Sequence, residues 1–322
     1  MDLSHLPADT AFSFHVVADA IRRHAKGLPE RPALLDVGGH PGLFVREFTG
    51  AFPRWSGFTV DMPFRGSGPY LCGSGTALPL RSASFDVAVS LDALAGVPPL
   101  ERRRFIVELC RVARSHVVLT APFHHPATAA VERILDQAHR QAFGSPHPRL
   151  SEHVEHGLPD LREIISEWPG SFGLREILPS WGLRSWVTWQ GLSLLHEQCG
   201  GLDRSWESWQ RAHAAEPVPP PGPVPYTWVL VARRGASTRP LSGLRLPAPD
   251  ADADLPELAR LYARLAELYA AMPAGNTAAG EINQRLKKAL LAAERELEAE
   301  RTQKALPGLG TRVREALRRW LQ

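Results

Sequence analysis

The chain of 322 residues has only three cysteines, Cys72, Cys110 and Cys199, widely spaced and with no CxxC among them. An odd, scattered set of this kind supports neither a disulfide framework nor a zinc site, so buried free thiols are the expectation. An excess of charge is also missing. With 37 basic against 34 acidic residues the formal net charge is +3, too little whole-chain field to draw a polyanion, and no nucleic-acid partner is expected. Met1 to Thr10 lack a basic segment followed by an apolar one, and no stretch approaches the roughly 20 uninterrupted apolar residues that cross a bilayer. A cytoplasmic location is the default expectation. No metal site is expected either: Glu152, His153, Glu155 and His156 read as a solvated charged face.

What the chain does have is core-forming material. Hydrophobic residues make up 44% and charged residues 22%, the balance of a globular protein. The 29 prolines gather largely in connecting segments. Apolar residues at helical spacing (Phe14, Val17, Ala18, Ile21) predict a helix from Phe12 that ends near Gly27. Ala33–Val37 reads as a buried strand cut off by Gly38 and Gly39. A helix over Leu43–Phe48 and a strand over Gly57–Asp61 follow, with Tyr70–Cys72 as a weak third strand. Phe85–Ser90 and His116–Ala121 are the clear fourth and fifth strands, on either side of a helix over Pro99–Ala113. Strands this apolar, alternating with helices, form a parallel sheet covered on both faces. The expected class is therefore α/β, a doubly wound, mostly parallel sheet. Helices are expected over Ala129–Phe143 and Leu161–Trp168, strands over Leu183–Trp189 and Thr227–Arg233, and an inserted helical pair over Leu192–Ala214.

Chemistry concentrates where the first strand ends, in Asp36-Val37-Gly38-Gly39-His40-Pro41-Gly42. A glycine turn between a strand and a helix N-terminus brings backbone N–H groups close to a ligand and suits a nucleotide or carboxylate. Asp61 ends the second strand roughly 20 residues on, the spacing at which a carboxylate can accept ribose hydroxyls. These two features fit either a nicotinamide dinucleotide or S-adenosylmethionine.

The stretch Gly73–Phe123 adds a third. Thr76-Ala77-Leu78-Pro79, Ser84-Phe85-Asp86-Val87, and Glu108-Leu109 with Arg111-Val112 resemble, in order, the adenine loop, fourth-strand entry and following helix of the methyltransferase type 11 branch of class I S-adenosylmethionine-dependent methyltransferases. The resemblance runs from about Ala33 to Phe123 and more weakly to Arg233. It implies a seven-stranded Rossmann-like sheet, S-adenosyl-L-methionine as cofactor, and a cofactor site made of Asp36, Gly38, Gly39, His40, Gly42, Asp61, Met62, Ala77, Leu78 and Ser90. Two positions depart from the family. His40 replaces the usual middle glycine, and Ser74 stands where an aspartate often meets the adenine amino group. A β-carbon at position 40 crowds the loop if the turn needs positive φ there.

Methyl transfer from a sulfonium is an in-line displacement in which the protein chiefly aligns the acceptor and excludes water. For a hydroxyl or amine acceptor a general base helps. The candidates are Asp92 after the fourth strand, His124 after the fifth and His153 in SEHVEHGLPDL. The segment His147–Leu161 resembles the lid of bacterial methyltransferases of cell-surface sugar assembly, which implies a small-molecule or glycan-type acceptor methylated on O or N. The alternative is a catalytically inactive methyltransferase-like scaffold acting through its C-terminal helices.

By this reading residues 1–236 form the methyltransferase domain, with lid and insert at about 124–160 and 192–214, 237–254 a linker, and 255–322 a helical tail. In the tail, Leu255, Leu258, Leu261, Tyr262, Leu265 and Leu268 form one apolar stripe, Glu281–Lys304 forms a second charged helix, and Thr311–Gln322 forms a basic amphipathic segment. Such a tail fits either packing on its own chain or a peripheral membrane or protein partner.

Overall fold

The computed structural model describes residues 1–3, 5–24, 26–62, 70–198, 222–238 and 244–270. Glu281–Lys304, Thr311–Gln322, Cys199 and the part of the expected insert beyond Gln198 lie outside the described residues. Along the chain run α1 (Ala8–His24), β1 (Ala33–Val37), α2 (Leu43–Ala51), β2 (Ser56–Asp61), β3 (Leu71–Cys72), β4 (Phe85–Leu91), a 3-10 turn (Ala93–Gly96), α3 (Pro99–Val112) and β5 (Ala113–Pro122). There follow α4 (Pro126–Phe143), α5 (Leu150–His156), α6 (Leu161–Ser166), β6 (Phe172–Pro179), α7 (Leu183–Gln198), β7 (Thr227–Arg234) and α8 (Leu255–Ala270).

One seven-stranded sheet joins the strands in the order β3-β2-β1-β4-β5-β7-β6. The first five strands are parallel to their neighbours, and β7 runs antiparallel to both β5 and β6. This is the Rossmann-like methyltransferase fold. Side chains alternate between two cores, as the pleat requires. Leu34, Val87, Val89, Val118 and Val229 point into the core shared with α1, α2, α4, α7 and α8. Leu35, Ala88, Val117, Leu119 and Leu230 point into the core under α3 and α6. Because every residue of β4 up to Ser90 is buried, the strand reads as a continuous apolar run broken by Asp86. That carboxylate is satisfied by the Ala33 N–H at 2.8 Å and Arg114 at 2.7 Å.

Two expectations need correction. Leu183–Trp189 is not a strand but the first half of α7. Its Trp, Val and Thr residues favour strands, yet Leu183, Trp186, Val187 and Trp189 are all buried, and a helix enclosed on several sides loses its amphipathic period. The strand is instead β6, whose sequence FGLREILP carries a register shift between Leu174 and Glu176. Second, Cys110 is buried but Cys72 is exposed.

The described parts of the segment expected as a linker, residues 237–238 and 244–254, make contacts with neighbouring elements. Leu174 N–H donates to Thr238 at 3.2 Å, Arg175 donates to the Ser237 carbonyl at 3.1 Å, and His125 Nε2 lies 2.9 Å from the Ala248 carbonyl. Leu244 and Leu246 pack against the α3-side core. Arg184 then grips Asp252 at 2.7 Å and Asp254 at 2.9 Å, and α8 buries Leu255, Leu258, Ala259, Tyr262 and Ala266 against the opposite core. Of the helices described, none is long and apolar enough to cross a membrane.

Candidate active site

Strand order reverses at β1 and β4, the place where an open α/β sheet leaves a crevice beyond its carboxyl ends. A cavity of about 750 Å3 opens there. At one end its wall is the turn after β1. Gly38 (φ 82°) and Gly42 (φ 86°) both take left-handed backbone, which glycine adopts without strain. A β-carbon on Gly38 would lie 2.4 Å from Ala93 Cβ. Gly39 is fixed for another reason: its missing side chain leaves room for Asp36, whose Oδ2 would lie 1.9 Å from a β-carbon there. His40 is not among the positive-φ residues, so its β-carbon meets no backbone penalty. The ring lies edge-on to Tyr70 at 4.8 Å.

Asp61 braces this turn. Its Oδ2 accepts the His40 N–H at 2.9 Å and its Oδ1 accepts the Met62 N–H at 2.7 Å. A carboxylate has roughly four lone-pair sites, so each oxygen retains capacity toward the cavity. Asp36 is the opposite case. It is fully buried, and among the described residues neither carboxylate oxygen has a hydrogen-bond partner. Burial, reinforced by the nearby charge of Asp61, pushes its pKa up to about 7. A buried orphan carboxylate at a cavity wall is costly unless a cation arrives to pair with it.

The next wall is Gly73-Ser74-Gly75-Thr76. The Ser74 and Thr76 hydroxyls lie 2.9 Å apart, and the Thr76 N–H donates to Ser74 Oγ at 3.2 Å. The loop is held from below by α3: Glu108 accepts the Leu78 N–H at 2.8 Å, while Arg111 donates to the Leu80 carbonyl at 2.7 Å and the Leu78 carbonyl at 3.0 Å. Glu108 and Arg111 pair with each other, and the Arg111 hydrogen bond holds the Glu108 carboxyl below its usual range. The Glu-Leu and Arg-Val pairs of the sequence motif therefore serve as struts for the loop.

Of the expected cofactor residues, the cavity brings together Asp36, Gly38, Gly39, His40, Asp61 and Met62. Gly42, Ala77, Leu78 and Ser90 do not line it. Gly42 starts α2, Leu78 is buried beneath the loop, and Ser90 is fully buried within β4 with its hydroxyl unpartnered.

Of the expected bases, Asp92 and His153 line the cavity and His124 does not; His124 is exposed, its N–H tied to the Pro159 carbonyl. Asp92 (φ 59°) accepts the Thr120 hydroxyl at 3.0 Å. Loss of water raises its pKa, against the pull of Arg149, Thr120 and His153. His153 Nδ1 lies 3.0 Å from Glu132 Oε1, and the Tyr226 hydroxyl donates to the same oxygen at 2.8 Å.

Sequence reasoning missed most of this second end. Arg149, Trp181, Trp186, Gln190 and Tyr226 line it, contributed by the approach to α5, by the loop before α7, by α7 itself and by the residue just before β7. Trp186 stacks on Tyr226 at 3.9 Å. Burial, then Glu132, holds the Tyr226 phenol well above its usual pKa. For Arg149, loss of water lowers the pKa but Asp9, Asp92 and Tyr226 outweigh it. His147 is pushed down to about 4, chiefly by burial, and its Nδ1 accepts the N–H groups of Arg149 and Leu150 at 3.2 and 3.1 Å.

A family model described as a methyltransferase domain matches residues 35–121, the span from β1 to β5 that carries the glycine turn, Asp61 and the strutted loop. The chain carries a methyltransferase domain. The cofactor of such a domain is S-adenosyl-L-methionine. An uncharacterized methyltransferase of Mycobacterium sp. (strain KMS) is 32% identical over 122 residues, covering 34% of this chain and 48% of its own length. A second, from Mycobacteroides abscessus, is 32% identical over 129 residues, covering 34% of this chain and 49% of its own. The chain thus spans about half the length of these curated relatives. Among solved structures, magnesium protoporphyrin IX methyltransferase from Synechocystis PCC 6803 is 11% identical, with a TM-score of 0.40 over 70% of this chain and 84% of that one.

Proposed function

We propose that this protein transfers the methyl group of S-adenosylmethionine to a small-molecule or glycan-type acceptor held at the second end of the cavity. The observation that carries the reading is the pairing, in one 750 Å3 space, of an orphaned buried carboxylate, Asp36, with the glycine turn and the braced Asp61. That donor set fits a cofactor with positively charged groups, a ribose and an adenine. Asp36 would pair with positive charge, the turn would admit the methionine portion, Asp61 would accept ribose hydroxyls, and Met62, Ser74 and Thr76 would meet the adenine.

When bound, the cofactor supplies a methyl group already activated on sulfonium. The protein's work is then alignment and water exclusion. Trp181, Trp186 and Tyr226 give the acceptor end a largely apolar wall, and Arg149, Gln190 and His153 punctuate it with polar groups. A pocket that is mostly apolar with a few fixed polar groups suits a small molecule.

Calorimetry with S-adenosylhomocysteine tests the reading. The wild-type chain is expected to bind, and Asp61→Ala to weaken binding on the order of 100-fold, since it removes both the turn brace and the ribose acceptor at about 1.5–3 kcal/mol per charged hydrogen bond. No binding by the wild type would sink the proposal and leave a scaffold.

A further inference from the structure

Glu132 is a carboxylate the sequence never singled out, sunk in the middle of α4 with 1% exposure. Among the described residues it has two hydrogen-bond partners, and both line the cavity. One carboxylate oxygen accepts the Tyr226 hydroxyl at 2.8 Å and sits 3.0 Å from His153 Nδ1. Three side chains from α4, α5 and the residue before β7 thus meet at one buried point. The Tyr226 phenol, its pKa held up by burial and by Glu132, stays protonated and donates. His153 therefore donates its Nδ1 proton to the same oxygen, and the ring nitrogen left with a free lone pair is Nε2. A carboxylate behind a histidine fixes its tautomer and stabilises the imidazolium.

On the methyltransferase reading of this cavity, we infer that His153 Nε2 is the general base for a hydroxyl acceptor, with Glu132 and Tyr226 as the residues that position it. An acceptor O–H loses its proton to Nε2 as the oxygen forms its bond to the methyl carbon. The carbon–sulfur bond breaks, and its electron pair stays on sulfur as the thioether. The imidazolium, paired with Glu132, afterwards returns the proton to water. A neutral amine attacks through a lone pair already free and sheds its proton later, so it needs no such base. A hydroxyl needs the proton taken during attack, and a buried histidine–carboxylate couple serves that demand.

The groups whose charge acts on His153 come from several elements. Besides Glu132 they are Asp92 after β4 and His147 ahead of α5, while Arg149 and Asp9 act on Asp92 in turn. Only Glu132 touches the ring through a hydrogen bond among the described residues.

The test uses the full chain with 15N-labelled histidine, saturated with S-adenosylhomocysteine, and long-range 1H–15N spectra that report each ring nitrogen. The His153 signal is identified by its loss in His153→Asn. It should show Nδ1 protonated and Nε2 free in the neutral ring. Glu132→Gln, which puts a neutral amide where the ring meets a carboxylate, should weaken the preference for Nδ1 protonation; should that variant not fold, Tyr226→Phe is expected to shift the same signal. A neutral ring protonated on Nε2, or a tautomer preference indifferent to Glu132→Gln, overturns the assignment.

Turnover is then scored as S-adenosylhomocysteine release, with methyl glycosides and catechols as hydroxyl probes and benzylamine as the amine probe. Hydroxyl turnover should fall about 10²–10⁴-fold in His153→Asn while S-adenosylhomocysteine affinity holds. Turnover of the amine alone, unaffected by His153→Asn, overturns the acceptor class; if neither probe turns over, the tautomer and its response to Glu132→Gln decide. A wild-type chain that binds no S-adenosylhomocysteine instead removes the methyltransferase reading itself, a separate result.

Discussion

Single atoms decide most of the cofactor end. Gly39 lacks a side chain because the Asp36 carboxylate occupies that space, 1.9 Å from where a β-carbon would sit. Gly39→Ala should displace Asp36 or the turn and weaken S-adenosylhomocysteine binding by roughly ten- to a hundredfold, read by calorimetry, with little change in the far-ultraviolet circular dichroism. Asp36 itself links pH to two measurable quantities. Its pKa is about 7 folded against an ordinary 3.8, so the ligand-free chain holds a proton that the unfolded chain gives up. That contribution to stability is complete below the unfolded value and is lost as pH rises through about 7, up to about 4 kcal/mol over the span. Urea unfolding of the ligand-free protein should therefore show its midpoint falling between about pH 4 and pH 7, and Asp36→Asn should flatten that slope. A positively charged ligand drives Asp36 to ionise, so binding should release a proton near neutrality, seen as a dependence of the calorimetric heat on buffer ionisation enthalpy. Binding without proton release would show that Asp36 does not meet the ligand's charge.

Helix α8 shows what packing adds at the level of elements. Its apolar stripe is plain in the sequence, but the surface it covers is not. Tyr262 is 2% exposed and its ring occupies the place of a side chain at Gly191 of α7, where a β-carbon would lie 2.3 Å away. Arg184 fastens the entry to α8 through Asp252 and Asp254. Tyr262→Ala should cost about 3–5 kcal/mol, the range for emptying a large aromatic site, and Gly191→Ala should destabilise through overlap with the same ring. Thermal unfolding checks both. If Tyr262→Ala leaves the midpoint within a degree of wild type, α8 contributes nothing to the fold. Element β6 teaches the converse. Its register shift and edge position leave half of it uncovered, so neither alternation nor an apolar run marks it, while α7 carries strand-favouring residues into a helix because both its sides are enclosed.

For the whole molecule, the question is where the folded unit ends. Sequence composition draws the boundary at 236, since GASTRPLSGLRLPAPDADAD has the proline, glycine and aspartate content of a linker. Residues 237–238 and 244–270 contact β6, α4, α7 and His125 just ahead of α4, which favours a boundary farther on. We therefore propose that the folded unit runs through residue 270. A chain cut after Arg234 should lose solubility or show a melting temperature lowered by more than 10 °C, on the order of several kcal/mol at a few degrees per kcal/mol, with apolar faces of α4 and α7 laid bare. A truncated chain as stable as the full one would restore the earlier boundary.

Local signals made much of this protein legible from its residues alone. The glycine turn, Asp61 and the apolar runs of β1, β4, β5 and β7 follow from steric and periodic rules that act over a few residues, so the parallel sheet and its cofactor end could be read directly. What sits opposite the cofactor end could not. Glu132, Arg149, His153, Trp186 and Tyr226 are scattered over nearly a hundred residues, and of these only His153, in SEHVEHGLPDL, was singled out from the sequence. The tertiary structure alone decides their meeting, because a buried hydrogen bond between residues 94 apart depends on how α4, α5 and the start of β7 close around one another, which no pattern of spacing encodes.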